Sequence, residues 1–166
     1  MGKIEGGMVI VLAAMLSGRG QDHASCPHAA ASDHRTDVDR RHDHATGVVH
    51  EAAEHHFLLS PEGGTIRLEV KDAERTAERD RIRGHLQVVA RSFAAGDFAL
   101  PELIHDRVPP GVPVMKERKT AIRYSYAPTD RGGLVTITTK DSAARAAIHA
   151  FLRFQIADHG TGDPVE

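Results

Sequence analysis

Apolar and polar positions alternate in "FLLSPEGGTIRLEV", residues 57–70, which puts Ile66, Leu68 and Val70 on one side of an extended chain and Arg67 and Glu69 on the other. Proline and glycines separate its two apolar runs, so the stretch predicts a β-hairpin with one wet face. Beyond Asp72, which offers an N-cap carboxylate, the period lengthens. Ile82, Leu86, Val89 and Phe93 recur at spacings of four, three and four, the stripe of an amphipathic helix that ends near Gly96. Gly84 inside it costs about 1 kcal/mol relative to alanine and leaves the stripe intact.

The same order then returns. "GGTIRLEVKD", residues 63–72, aligns without a gap on "GGLVTITTKD", residues 132–141, sharing its opening Gly-Gly and closing Lys-Asp. In this second half Ile122, Tyr124 and Tyr126 share one strand face, Val135 and Ile137 another, and Ile148, Phe151, Leu152 and Gln155 follow helical spacing. Both helices are expected to stop at a Gly-Asp pair, Gly96-Asp97 and Gly162-Asp163. The pattern predicts an α+β fold with a duplicated strand-strand-helix unit (ββαββα), a four-stranded antiparallel sheet carrying two helices on one face. The units, 55–98 and 119–164, make a single domain over residues 55–164. The crossover between them, "FALPELIHDRVPPGVPVMKERKT", carries Pro101, Pro109, Pro110 and Pro113 and cannot form one regular element.

The N-terminal part reads differently. In "MGKIEGGMVIVLAAMLSGRG", residues 1–20, an apolar run from Met8 to Leu16 follows Lys3 and precedes the small residues Ser17, Gly18 and Gly20, the grammar of a signal peptide. Export, to the periplasm, is the expectation, with cleavage after Gly18, Gly20 or Ala24. Residues 21–54 are rich in His, Asp, Ala and Arg and lack apolar periodicity, which predicts a His-rich disordered tail. No run reaches eighteen apolar residues, so the mature chain is expected to have no transmembrane span.

Composition narrows the function classes. A chain of 166 residues, 40% hydrophobic, suits one domain of ordinary size. Its 21 basic and 23 acidic side chains are interspersed and sum to −2, which provides no basic face for nucleic acid. Cys26 is the only cysteine, so neither an intrachain disulfide nor a thiolate zinc site can be built, and His23 three positions before it argues against a lipid anchor.

Of the 12 histidines, eight lie between His23 and His56. Imidazole is the commonest transition-metal ligand, and a flexible segment bearing His42, His44 and His50 with nearby aspartates can wrap copper, zinc or nickel. A second constellation belongs to the expected folded part: His55 and His56 open the first strand, His105 lies in the crossover, and Met115 follows. Two imidazoles and a thioether meeting at one end of the sheet suit copper, especially the reduced ion. His85, His149 and His159 lie on the expected helices and read as structural. No H-E-x-x-H helix, nucleophile elbow, phosphate loop or Cys-x-x-Cys pair occurs, and no catalytic residue is assigned. The leading expectation is therefore an exported, copper-favouring metal-binding protein. One alternative is a non-enzymatic module that presents the crossover or the wet sheet face to a protein or small ligand. Another is a small hydrolase or lyase using His105 and neighbouring carboxylates.

The segments "EHHFLLSPEGGTIRLEV", "AAGDFALPELIHDRVPPGVPVMKERK" and "IHAFLRFQIADHGTGD" together resemble an uncharacterised family of small exported bacterial proteins. Some of its members carry the label aspartate carbamoyltransferase. That enzyme requires a much larger two-domain chain with a Ser-Thr-Arg-Thr phosphate loop, and this sequence contains none. The resemblance spans residues 54–164 and implies that hairpin, crossover and last helix form one inherited module, without implying an activity.

Overall fold

The computed structural model describes Gly2 and residues 27–166. The expected signal peptide, its cleavage positions and Cys26 lie outside the described residues. Helix α1 covers Pro27–Thr46, and a single 3-10 turn, His50–Ala52, leads into β1, Ala53–Ser60, and β2, Gly63–Val70. Then come α2, Thr76–Ala95, two short helices α3, Ala99–His105, and α4, Val112–Glu117, and a second 3-10 turn, Lys119–Ala121. The chain closes with β3, Ile122–Pro128, β4, Gly132–Thr139, and α5, Ser142–His159.

The four strands form one antiparallel sheet in the order β1-β2-β4-β3. Ile66 faces Val135 across the central pair, and these two residues hold the same place in "GGTIRLEVKD" and "GGLVTITTKD". The layout is thus compatible with two strand-strand-helix units. One sheet face carries Phe57, Ile66, Leu68, Val135 and Ile137, all buried. Helices α2 and α5 cover that face. Side chains on them press on the strand glycines so closely that a Cβ at Gly64 would strike Leu152 of α5, and one at Gly132 would crowd Ile82 of α2. The ring cluster Phe93, Phe98 and Phe151 fills the space between the helices, with centroids 4.4 to 6.2 Å apart.

Three expectations need correction. Asp72 does not cap α2, which starts at Thr76 after Arg75; the Asp72 carboxylate instead accepts from the Glu74 amide, while Asp141 at the matching place does cap α5 through the Ala144 amide. Helix α5 ends before Gly160 in the left-handed conformation (φ 62°), with the stop two residues earlier than the expected Gly162-Asp163. Most consequentially, the expected disordered tail contains α1. Among its described side chains, residues 33–46, Val38 is the one fully buried apolar residue, so apolar periodicity does not reveal it. It docks on α3 and α5 chiefly through polar groups: Arg41 Nε donates to the Ile104 carbonyl at 2.6 Å, and His34 Nε2 meets Asp158 Oδ1 at 2.9 Å.

The crossover resolves its prolines by placing them where an amide is dispensable. Pro101 sits in the first turn of α3 and Pro113 in that of α4. Between them Gly111 adopts φ 85° against the Ala147 carbonyl of α5, a contact that leaves no room for a Cβ.

Candidate metal centre

Six imidazoles gather where α1 crosses the end of the sheet. His55 points inward from β1, two residues before Phe57 and opposite Leu68. His159 extends the buried stripe of α5 that runs through Leu152, Gln155 and Ile156. His42 is the buried polar residue of α1, His50 opens the 3-10 turn, His85 flanks Ile82 and Leu86 on α2, and His105 ends α3. The rings of His50, His55 and His159 are stacked, with centroids 5.0, 5.4 and 6.2 Å apart. His42 stands edge-on to this stack, 4.8 Å from His55 and 5.9 Å from His85.

Two donor sets emerge. One nitrogen each of His42, His50 and His55 lie within 4.8 Å of one another, and so do donor atoms of Asp39, His50 and His159. An ion in tetrahedral coordination holds its nitrogen ligands about 3.3 Å apart. The Nε2 atoms of His42 and His55 already stand at 3.3 Å. These buried clusters can hold a metal ion.

The electrostatics prepare the same chemistry. Burial pulls His42 down to about 4, helped by the neighbouring His50, and pulls His85 down to about 4, helped by His42. Burial also drives His55 and His159 well below the ordinary imidazole value, their histidine neighbours adding to it. These rings are neutral at pH 7, the form that ligates metal. His55 as a residue is only half-buried, yet its Nδ1 is fully occluded. Nδ1 of His42, His55 and His159 are buried without a hydrogen-bond partner in the protein, and His50 Nδ1 and Asp39 Oδ1 face each other at 3.4 Å outside hydrogen-bond geometry. Interiors ordinarily pair such atoms, because leaving one unpaired costs about 1–3 kcal/mol.

His105 plays a different part. Its Nδ1 lies 2.6 Å from Asp158 Oδ2 and its Nε2 2.9 Å from the Gln155 amide, so both nitrogens are engaged. Burial lowers its pKa against the pull of Asp158, leaving a neutral ring that donates to the carboxylate through Nδ1. Nε2 is then an acceptor, so the Gln155 amide, whose Oε1 lies 2.9 Å away, pairs with the ring once its oxygen and NH2 are exchanged. Asp158 is raised by burial but held below the usual carboxylate range by the stronger combined effect of His105 and His34. His105 packs 5.0 Å from His159 and buttresses it; a ring 2% exposed with both nitrogens occupied is poorly placed for hydrolysis.

Of the residues singled out in the sequence, His42, His50 and His55 converge. His44 is exposed on α1, beside Arg40, Arg41 and Leu103. His56 points to the other sheet face, where its Nδ1 meets Asp163 Oδ1 at 2.8 Å and helps to clasp the C-terminal segment. Met115 is fully buried in the apolar core and does not line the space behind the imidazoles. His159, His85 and Asp39 were not expected at the site. The legible hints were the continuation of the α5 stripe to His159 and the one-turn spacing of Asp39 and His42.

Behind the imidazoles lies a cavity of about 60 Å³, walled on one side by His42, His55, His85 and His159 and on the other by Leu68, Leu86, Val89, Phe93, Leu100 and Phe151. On the outer side a surface depression includes His50, His55, Lys71 and His159. His55 and His159 line both spaces. No family model, no curated protein and no solved structure matches this chain.

Proposed function

We propose that the protein is an exported transition-metal-binding protein whose ion is held by His42, His50 and His55, beside a second, overlapping donor set of Asp39, His50 and His159. The observation that carries this reading is the convergence of imidazoles from a helix, a turn and a strand, His42, His50 and His55, whose donor nitrogens lie within 4.8 Å of one another, with buried Nδ1 atoms of His42 and His55 left without a hydrogen-bond partner. A coordinated ion would engage donors of this kind and offset their burial cost. Copper is favoured: among divalent first-row ions it binds nitrogen and oxygen donors most tightly. With Met115 elsewhere, the donor set suits the oxidised ion, and zinc and nickel are the competitors. The apolar run Met8–Leu16 between Lys3 and small residues supports export.

The test is titration of the purified mature protein with Cu(II), Zn(II) and Ni(II), read by calorimetry and by nitrogen hyperfine structure in the copper resonance spectrum. Wild type should bind stoichiometrically and gain melting temperature. His42→Ala and His55→Ala should each weaken binding by about 10-fold or more, while His44→Ala should not. Equal affinity in all four proteins would overturn the site.

A further inference from the structure

We infer that the cavity behind the imidazoles is a binding site for a small neutral apolar molecule of dioxygen's class, which it presents to the open coordination position of the metal. The inference rests on the metal reading above and names what that centre takes.

Three observations support it. First, three imidazoles leave a tetrahedral ion one position short, the arrangement of metal centres that accept an external ligand. Second, the cavity side of the cluster is apolar: aside from the imidazoles and Gln155, which His105 engages, the lining is aliphatic, aromatic and proline. A bound water needs two to four polar partners. An ion would take one nitrogen each from His42, His50 and His55, and the surface that the chamber exposes is chiefly aliphatic and aromatic, which offers little to water and favours an apolar guest. Third, the size is selective. At about 60 Å³ the cavity is well under half of the roughly 150 Å³ apolar cavity that takes benzene. Charged or larger ligands are confined to the outer depression with Lys71.

The experiment has two arms on the full mature chain. Metal-free protein is examined by xenon-129 resonance, and Cu(I)-loaded protein by the infrared C–O stretch under carbon monoxide. Wild type should show a saturable bound-xenon signal and one narrow carbonyl band. Val89→Phe should abolish the xenon signal and weaken carbon monoxide binding at least about tenfold, leaving Cu(I) affinity unchanged. Leu100→Phe fills the chamber from the half-exposed side of α3 and repeats the test should Val89→Phe misfold. Absence of xenon binding, or carbon monoxide bound equally well by the filled variants, overturns the proposal. If xenon binds but no metal does, the metal reading has failed, and with it the link between guest and ion.

Discussion

Acidifying the metal-free protein tests the electrostatic basis of the site. His42 and His85 have pKa values of about 4 in the folded protein against 6.5 in an unfolded chain. Burial favours their neutral forms, so above 6.5 neither state is protonated and the rings do not contribute to pH dependence. As pH falls below 6.5 the unfolded chain takes up protons that the native rings refuse, and stability drops until native protonation begins near 4. At pH 5 each ring costs roughly 2 kcal/mol, so the pair costs roughly 4 kcal/mol, a large part of the 5–15 kcal/mol that holds a typical domain together. His55, His105 and His159 are lowered too and add in the same direction.

Urea unfolding of metal-free protein from pH 7.5 to 4.5 measures this directly. Stability should fall with a slope of at least about 2 kcal/mol per pH unit near pH 5.5. His85→Leu, which removes one such ring from the edge of the cluster, should recover about 2 kcal/mol of the loss at pH 5 relative to its own value at pH 7.5. Stability that stays flat down to pH 5, or His42 and His85 resonances that titrate near 6.5, would refute the burial argument.

Because burial keeps His42 and His55 neutral, protonation of these two rings should not weaken metal binding between pH 7 and 5, and His42→Ala should not change the pH profile of the remaining affinity in that range; a profile whose midpoint near 6.5 disappears in His42→Ala would refute this. Met115→Leu conserves volume in the core and should cost less than about 1.5 kcal/mol by urea unfolding, with copper affinity unchanged. Trypsin should cleave α1 at Arg40 or Arg41 in metal-free protein, and copper at a hundredfold its Kd should slow that cut about a hundredfold, since His42 lies on the same helix. Gly111→Ala forces a Cβ at φ 85° toward the Ala147 carbonyl and should lower stability by about 2 kcal/mol or more; a neutral result would mean that α4 can shift from α5.

The sheet and the two long helices were legible because each has an apolar side whose period reports its geometry. Ile66, Leu68 and Val70 alternate, Ile82 to Phe93 step by helical turns, and both patterns describe burial against the same core. Helix α1 follows another rule. With Val38 the one fully buried apolar residue among its described side chains, it is positioned by the Arg41–Ile104 and His34–Asp158 contacts, whose partners lie far along the chain. Such pairs leave no local period, so a segment without apolar rhythm reads as disordered although it folds.

The same distinction explains the site. A histidine on a helix stripe reads as structural when only its own helix is considered, and His159 does continue the buried face of α5. Its meaning changes because β1 brings His55 to 5.4 Å and the turn before it brings His50 to 6.2 Å, contacts set by tertiary packing. Met115 is the converse case, a soft donor by chemistry that the fold uses as filler. Side-chain type named the chemistry available to this chain, whereas packing decided which donors could act together. The decisive feature is where the polar helix lands: α1 delivers His42 and Asp39 to a place already lined by β1 and α5, so the donor set is complete only when a segment with little apolar affinity of its own is docked. Metal bound there would therefore stabilise the docking of α1, and the tryptic cut in that helix reads the linkage directly.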